Sequence, residues 1–172
     1  TKTTMPWEHS VEDFIGKNIE SENLEYKSTY QWDTKENKHN PDILKPIIIR
    51  TIASFLNAKG GTLLIGINDG GEVLGIENDL KIFNGSFDDL QKNISNYIAV
   101  TIGKEHIHQI DIKTIPIDDK NILRIDVQKS FTDVWVKSKG SRDEEFFVRF
   151  GPTSTRLSPK KATDYINRNF NN

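Results

Sequence analysis

The sequence contains no cysteine. Disulfides and thiolate metal sites are therefore excluded, and the chain suits a reducing, cytoplasmic setting. No apolar run approaches the ~18 residues a membrane helix needs, and no stretch reads as a secretory signal. Mean hydropathy is −0.58, and 28% charged against 35% hydrophobic residues describe a polar chain that still has enough apolar side chains for one core. There is no Walker pattern, no G-x-G-x-x-G, no internal repeat and no low-complexity segment. The chain starts at Thr1 rather than methionine, which fits a trimmed chain or a piece of a longer protein.

What is present is organised around Ile43–Ile76. Apolar residues at 43, 47, 52, 55 and 56 follow helical spacing, and Lys59-Gly60-Gly61 closes the helix where a residue free to take positive φ is wanted. Thr62–Ile67 is almost wholly apolar and too short for a second helix, so it reads as a buried central strand. Asn68-Asp69-Gly70-Gly71 is a turn, and Glu72–Ile76 a short strand paired back on 62–67.

The flanks are read the same way. Residues 1–7 are expected to be disordered, and Ser10 to cap a short helix to Asn18 with Val11, Phe14 and Ile15 inward. Leu24 onward alternates as a strand to Trp32, and Asp33–Pro41 is a polar loop. Residues 77–86 read as a loop and Phe87–Ile102 as a helix. Ile107–Ile117 and Asn121–Lys129 form a hairpin about Asp118–Lys120. Val134–Val136 pairs with Glu145–Phe150 around the polar loop Lys137–Glu144. Gly151–Arg156 is a loop, and Ser158-Pro159 starts a last helix with Ala162, Tyr165, Ile166 and Phe170 inward. The fold class is α+β: one mixed, mostly antiparallel sheet of about five or six strands with helices packed on it. Residues 1–17 form an extension and 18–172 a single domain.

Three features bear on chemistry. Glu20, Glu25 and Asp69 are carboxylates at strand ends, an oxygen-only set suited to Mg²⁺ or Mn²⁺; the plainer reading is solvated carboxylates and a turn aspartate. The glycine pair and the Asn-Asp-Gly-Gly turn could cradle phosphate, but a pair that ends a helix favours a C-cap and a hairpin turn. The third is a basic stretch with aromatics between: Lys129, Phe131, Trp135, Lys137, Lys139, Arg142, Arg149 and Arg156. Residues 129–172 hold nine Lys+Arg against five Asp+Glu, leaving the rest of the chain acidic. Such a stretch contacts nucleic-acid phosphates, or is a hairpin with core aromatics and solvated lysines. His106 and His108, on one strand face with no third ligand nearby, read as structural.

The residues resemble a known family. Glu20-x4-Glu25-Tyr26-Lys27, then Ala53-x-Phe55-Leu56-Asn57-Ala58-x-Gly60-Gly61-Thr62-Leu63-Leu64-Ile65-Gly66-Ile67-x-Asp69 and Val73-x-Gly75-Ile76, are similar to the Schlafen-type AlbA-like domain. Its close is similar to Phe147-Val148-Arg149-x-Gly151 with Ser154-Thr155-Arg156-Leu157 and a helix from Ser158. The resemblance spans about residues 18–168 and implies a nucleic-acid-binding α+β module. Animal members include metal-dependent endoribonucleases that cut tRNA and rRNA with two glutamates and an aspartate, which correspond to Glu20, Glu25 and Asp69. Those three would hold Mg²⁺ or Mn²⁺, and Lys27, on the strand face of Glu25, would steady charge on the reacting phosphate. The basic residues Lys137, Lys139, Arg142, Arg149 and Arg156 would hold the RNA or DNA. Asn68 stands where animal members commonly carry a second aspartate, and their zinc site lacks its cysteines here. The resemblance thus implies an endoribonuclease acting on structured RNA such as tRNA. Its alternative is a non-catalytic DNA- or RNA-binding module, possibly ATP-binding. A homodimer is expected, since one lobe alone offers a short face to a folded RNA.

Overall fold

Helix α1, Pro41–Asn57, sits at the centre of the packing in the computed structural model, which describes residues 4–170. Every residue from Thr51 to Asn57 is buried, the mark of a helix with neighbours on all sides. The apolar stripe differs from the expected one. Ile43 and Ile47 are 62% and 36% exposed, while Ile48, Ile49, Ile52, Ala53, Phe55 and Leu56 form the core side. Only the C-terminal half of α1 is enclosed; its first two turns run past the sheets. The glycine pair is a helix stop and a close-packing point. Gly60 takes φ +77, its N–H donates to Phe55 O at 2.9 Å, and a Cβ on it would meet Val127 O at 2.5 Å.

Two sheets flank α1 where one was expected. The first contains β1 (Leu24–Lys27), β4 (Gly61–Ile65), β5 (Ile110–Ile117) and β6 (Lys120–Val127) in the order β1-β4-β6-β5. Strand β1 runs parallel to β4, with Glu25 opposite Leu63 and Lys27 opposite Ile65; the β4–β6 and β5–β6 pairs are antiparallel. The second sheet is β7 (Trp135–Lys137), β8 (Glu144–Phe150) and β9 (Thr153–Leu157), all antiparallel. Between β1 and α1 lies a small hairpin, β2 (Trp32–Asp33) with β3 (Lys38–His39), inside the segment expected to be a loop. The segment 151–156, also expected to be a loop, is mostly strand β9: Gly151 takes φ +54 at a tight turn and lets the chain fold straight back on β8. The α+β class itself stands.

Strand alternation distributes side chains to either face. Leu63, Ile65, Leu123, Ile125 and Phe147 share a core with α1 and with Leu90, Ile94 and Ile98 of α3 (Phe87–Thr101; α2 is Glu77–Lys81). Leu24, Tyr26, Leu64 and Ile122 pack instead against Val11 and Phe14. Phe146 and Val148 pack against Ala162, Tyr165 and Phe170 on or beside α4 (Pro159–Asn169).

Polar groups account for several departures from the expected elements. Asp79, only 1% exposed, accepts the N–H groups of Tyr30, Gln31 and Trp32 and the Thr29 hydroxyl at 2.8–3.0 Å. Those amides are drawn off the sheet, so the strand expected to reach Trp32 stops at Lys27, and Asp79's own segment coils into α2 within the expected loop 77–86. Glu72–Ile76 makes a single bridge, Ile67–Val73, because Leu74 and Gly75 both donate to Gly66 O. The helix expected over 10–18 is one 3-10 turn, Val11–Asp13, although Val11 and Phe14 do face inward. Of the expected disordered residues 1–7, residues 1–3 lie outside the described ones. The rest are held in place: buried Arg124 donates to Pro6 O and His9 O at 3.0 and 2.8 Å and pairs with Asp126. His106 and His108 lie in a 3-10 helix, Lys104–Gln109, rather than on a strand.

Asn57 welds α1 to the second sheet. Fully buried, its amide donates to Val134 O and Phe147 O at 2.8 and 2.9 Å and its oxygen accepts Val134 N–H at 2.8 Å. All three bonds go to backbone groups that have no water to turn to. Asn57→Ala should therefore lower stability by about 3 kcal/mol, since it strands buried donors and acceptors. Urea unfolding with an unchanged m-value is the check.

Candidate functional site

The site starts from the alternation of β1. Leu24 and Tyr26 enter the core on one face, which puts Glu25 and Lys27 on the other, beneath the open half of α1. Glu25 is 7% exposed and is held by two cations: Lys27 Nζ at 2.7 Å on Oε1 and Arg149 Nη2 at 2.5 Å on Oε2. Arg149 comes from β8, is buried, and also donates to Ser21 O at 2.8 Å and Ser154 Oγ at 3.3 Å while lying over the Phe55 ring. An arginine expected to touch nucleic acid is thus first a tie between the two sheets.

Around this pair opens a cleft of about 280 Å³ between α1 and the β8–β9 hairpin. Its polar walls are Glu25, Lys27, Arg50, Thr51, Arg149, Thr153 and Ser154. Arg50, Thr51 and Ser154 were missed in the sequence reading. The available signal was a lone arginine directly after Ile47-Ile48-Ile49, where a charge marks the open face of the helix. Lys45, one turn earlier on α1, was missed too. It lies 4.4 Å from the Tyr97 ring centroid and donates to Asn93 Oδ1 at 3.2 Å. Burial holds its amine below the usual range; Asp42 opposes this and Lys139 adds to it. Lys139 therefore brings the loop after β7 to the same side as α1. Lys137, at the end of β7, and Lys139 and Arg142, in the loop after it, are exposed, whereas Arg156 is paired with Glu145 at 3.1 Å.

Glu20, on the turn before β1, accepts Tyr26 N–H at 2.9 Å. Its carboxyl is held above the usual range, chiefly by burial; the Tyr26 N–H opposes this, the charges of Glu25 and Asp69 add to it, and Lys27 lowers it. Glu20, Glu25, Asp69 and Lys27 thus share one electrostatic neighbourhood. Asp69 is exposed on the turn, which Asn68 shapes: its Oδ1 accepts the Gly70 and Glu72 N–H groups at 3.0 Å. The oxygen donors suit Mg²⁺ or Mn²⁺ chemically. Among the described residues no three His, Cys, Asp or Glu side chains form a group that could hold a metal ion, and Glu25 is held by its two cations.

The Schlafen, AlbA_2 family matches residues 20–158. The chain belongs to the Schlafen AlbA_2 family. Membership makes this a nucleic-acid-related domain. No curated protein matches it. Among solved structures, the DIP2311 protein of Corynebacterium diphtheriae is similar at a TM-score of 0.58 and 15% identity, over 86% of this chain and 24% of that one. This Schlafen-type chain thus spans about a quarter of that protein, and the likeness is one of fold. The N-terminal domain of a protein named as related to the ATP-dependent DNA helicase RecG, from Nitrosomonas europaea, is similar at a TM-score of 0.45 and 17% identity, over 86% and 90% of the two chains.

Two outcomes follow for this Schlafen domain. Arg149→Met should destabilise by about 3 kcal/mol, because it takes the buried partner from Glu25 Oε2 and leaves Lys27 as the one cation on that carboxylate; chemical denaturation reads this. Asp69→Asn should move the Glu20 titration, followed by NMR, down toward the ordinary range by removing one of the like charges. A raised folded-state pKa means the folded chain binds that proton more tightly than the unfolded chain. Glu20's contribution to stability is therefore largest at acid pH and falls as pH climbs through its folded value, and Glu20→Gln should remove that slope.

Proposed function

We propose that the domain binds the sugar-phosphate backbone of structured RNA at the cleft between α1 and the β8–β9 hairpin. The observation that carries this is the set of cations and hydroxyls converging there: Lys27 and Arg50, with Thr51 and Ser154 beside them. Backbone recognition needs such donors in number and needs no base-specific pocket. Lys137, Lys139 and Arg142 extend the positive surface past α1, and A-form RNA is held by shape and phosphate contacts over a spread surface of this kind. Nucleotide binding at the glycine pair has no support in the geometry, because Gly60 and Gly61 are already packed against Val127 O and the Phe55 ring. No helix is long and apolar enough to cross a membrane among the described residues.

Binding is measured by fluorescence anisotropy against a tRNA over a salt series. Glutamate at Lys137, Lys139 and Arg142 together should weaken binding and reduce the salt slope by roughly two units, in proportion to the phosphates released. An unchanged slope would remove the loop from the interface.

A second reading is metal-dependent endoribonuclease action on the same RNA. It is favoured by the raised Glu20 carboxyl, which feels both Glu25 and Asp69. Glu20, Glu25 and Asp69 would supply the oxygens for Mg²⁺ or Mn²⁺, but Glu25 would first have to leave Lys27 or Arg149. Incubation with total tRNA, with and without Mn²⁺ or Mg²⁺, tests it, with Asp69→Asn as the control because Asp69 is exposed and its loss should spare the fold. Binding without cleavage leaves the first reading alone. Pairing of two copies around one RNA belongs to this proposal and is checked by sedimentation with and without RNA.

A further inference from the structure

Of the described aromatic residues only Phe131 and Phe150 are exposed, at 87% and 50%. Both stand beside α4, and Glu22 and Asp164 also line the clefts around Phe150. Phe150 lies in the wall of two clefts, of about 380 and 400 Å³, that also share Tyr165 and Asn169. Phe131 lines a third, of about 320 Å³, which again shares Asn169 and takes Lys129 in common with the first. The three clefts therefore adjoin one another beside α4, as one track of neighbouring surface. Arg149 lines the first of these clefts as well as the cleft beneath α1, so the track adjoins the proposed binding site.

The exposure of Phe131 is built in. The residue before it, Ser130, is 2% exposed; its N–H donates to Leu56 O at 2.8 Å and its hydroxyl accepts Thr132 N–H at 3.2 Å. The chain is pinned to the end of α1 on one side of the ring and turned back on the other, which leaves the ring outside. Three lysines border the track: Lys59, Lys129 and Lys161. Lys129 lies 5.5 Å from the Phe170 ring centroid, and Lys59 is only loosely held by Glu22 in an exposed pair at 3.3 Å, which solvent and salt screen. Separate rings, each flanked by ammonium groups, are what successive unpaired bases and their phosphates require. A protein-docking face would show one contiguous apolar patch instead.

We propose that this track binds a single-stranded extension of the RNA held in the cleft, with bases stacked on Phe131 and Phe150 and phosphates on Lys59, Lys129 and Lys161. The inference rests on the cleft binding RNA, and the test separates the two. Fluorescence anisotropy compares a blunt RNA hairpin with the same hairpin carrying an unpaired tail of about ten nucleotides, within the usual span of such sites. The tail should tighten binding by the parent roughly tenfold. The Phe131→Ala, Phe150→Ala double variant should lose that increment while its affinity for the blunt hairpin stays within about twofold, as expected if stacking alone is removed. The corresponding double Phe→Trp variant should keep the increment. Equal affinity of the parent for both RNAs, or an alanine variant that keeps the increment, overturns the proposal and leaves the rings to a protein partner. Failure to bind either RNA, with the circular dichroism spectrum intact, overturns both this proposal and the cleft reading. Binding of the blunt hairpin without any effect of the tail overturns this one alone.

Discussion

A guanidinium buried between two sheets needs a partner for nearly every N–H it carries, and Arg149 finds them on both sides. Ser21 O and Leu24 O belong to the segment around β1, Ser154 to β9, and Glu25 supplies the counter-charge. Removing one such group from water is expensive, and that expense is offset only when geometry and charge are both satisfied. The interaction therefore works as a constraint. The second sheet can take one position relative to the first, and a carboxylate must sit at residue 25. Asn57 applies the same logic at the other end of α1, where a single side chain closes three backbone bonds.

The ties that hold the sheets together also build the cleft. Two cations, Lys27 and Arg149, face the one carboxylate of Glu25, so the surroundings keep a net positive charge to which Arg50 adds. On the far side, burial raises the Glu20 carboxyl, and the negative charges of Glu25 and Asp69 add to that rise. The result is a sharp change of sign across a few residues of β1. The Arg149–Glu25 ion pair that shapes this distribution of charge is the same one that ties the two sheets.

The elements best legible in the sequence were those whose pattern is local. The end of α1 at the glycine pair, the apolar run of β4, helix α3 and the β5–β6 hairpin follow from spacing, turn residues and burial on known faces. Errors fell where a distant polar group overrides a local pattern. Alternation continued past Lys27, but Asp79, some fifty positions downstream, removes three amides from the sheet. Residues 4–9 look featureless until Arg124 reaches their carbonyls. The split into two sheets was illegible because strand length and alternation do not say which strands pair.

The sequence by itself determined the α+β class, the family resemblance and the candidate residues Glu20, Glu25, Lys27 and Asp69, since residue type and short-range spacing are written along the chain. The tertiary structure alone decided what those residues do to one another. It made Arg149 a buried tie instead of a surface contact, brought Arg50 and Ser154 to the same cleft, and turned Phe131 outward. Each of these depends on groups far apart in sequence meeting in a place without water, where the energy of a charge or a polar atom is set by its neighbours in space.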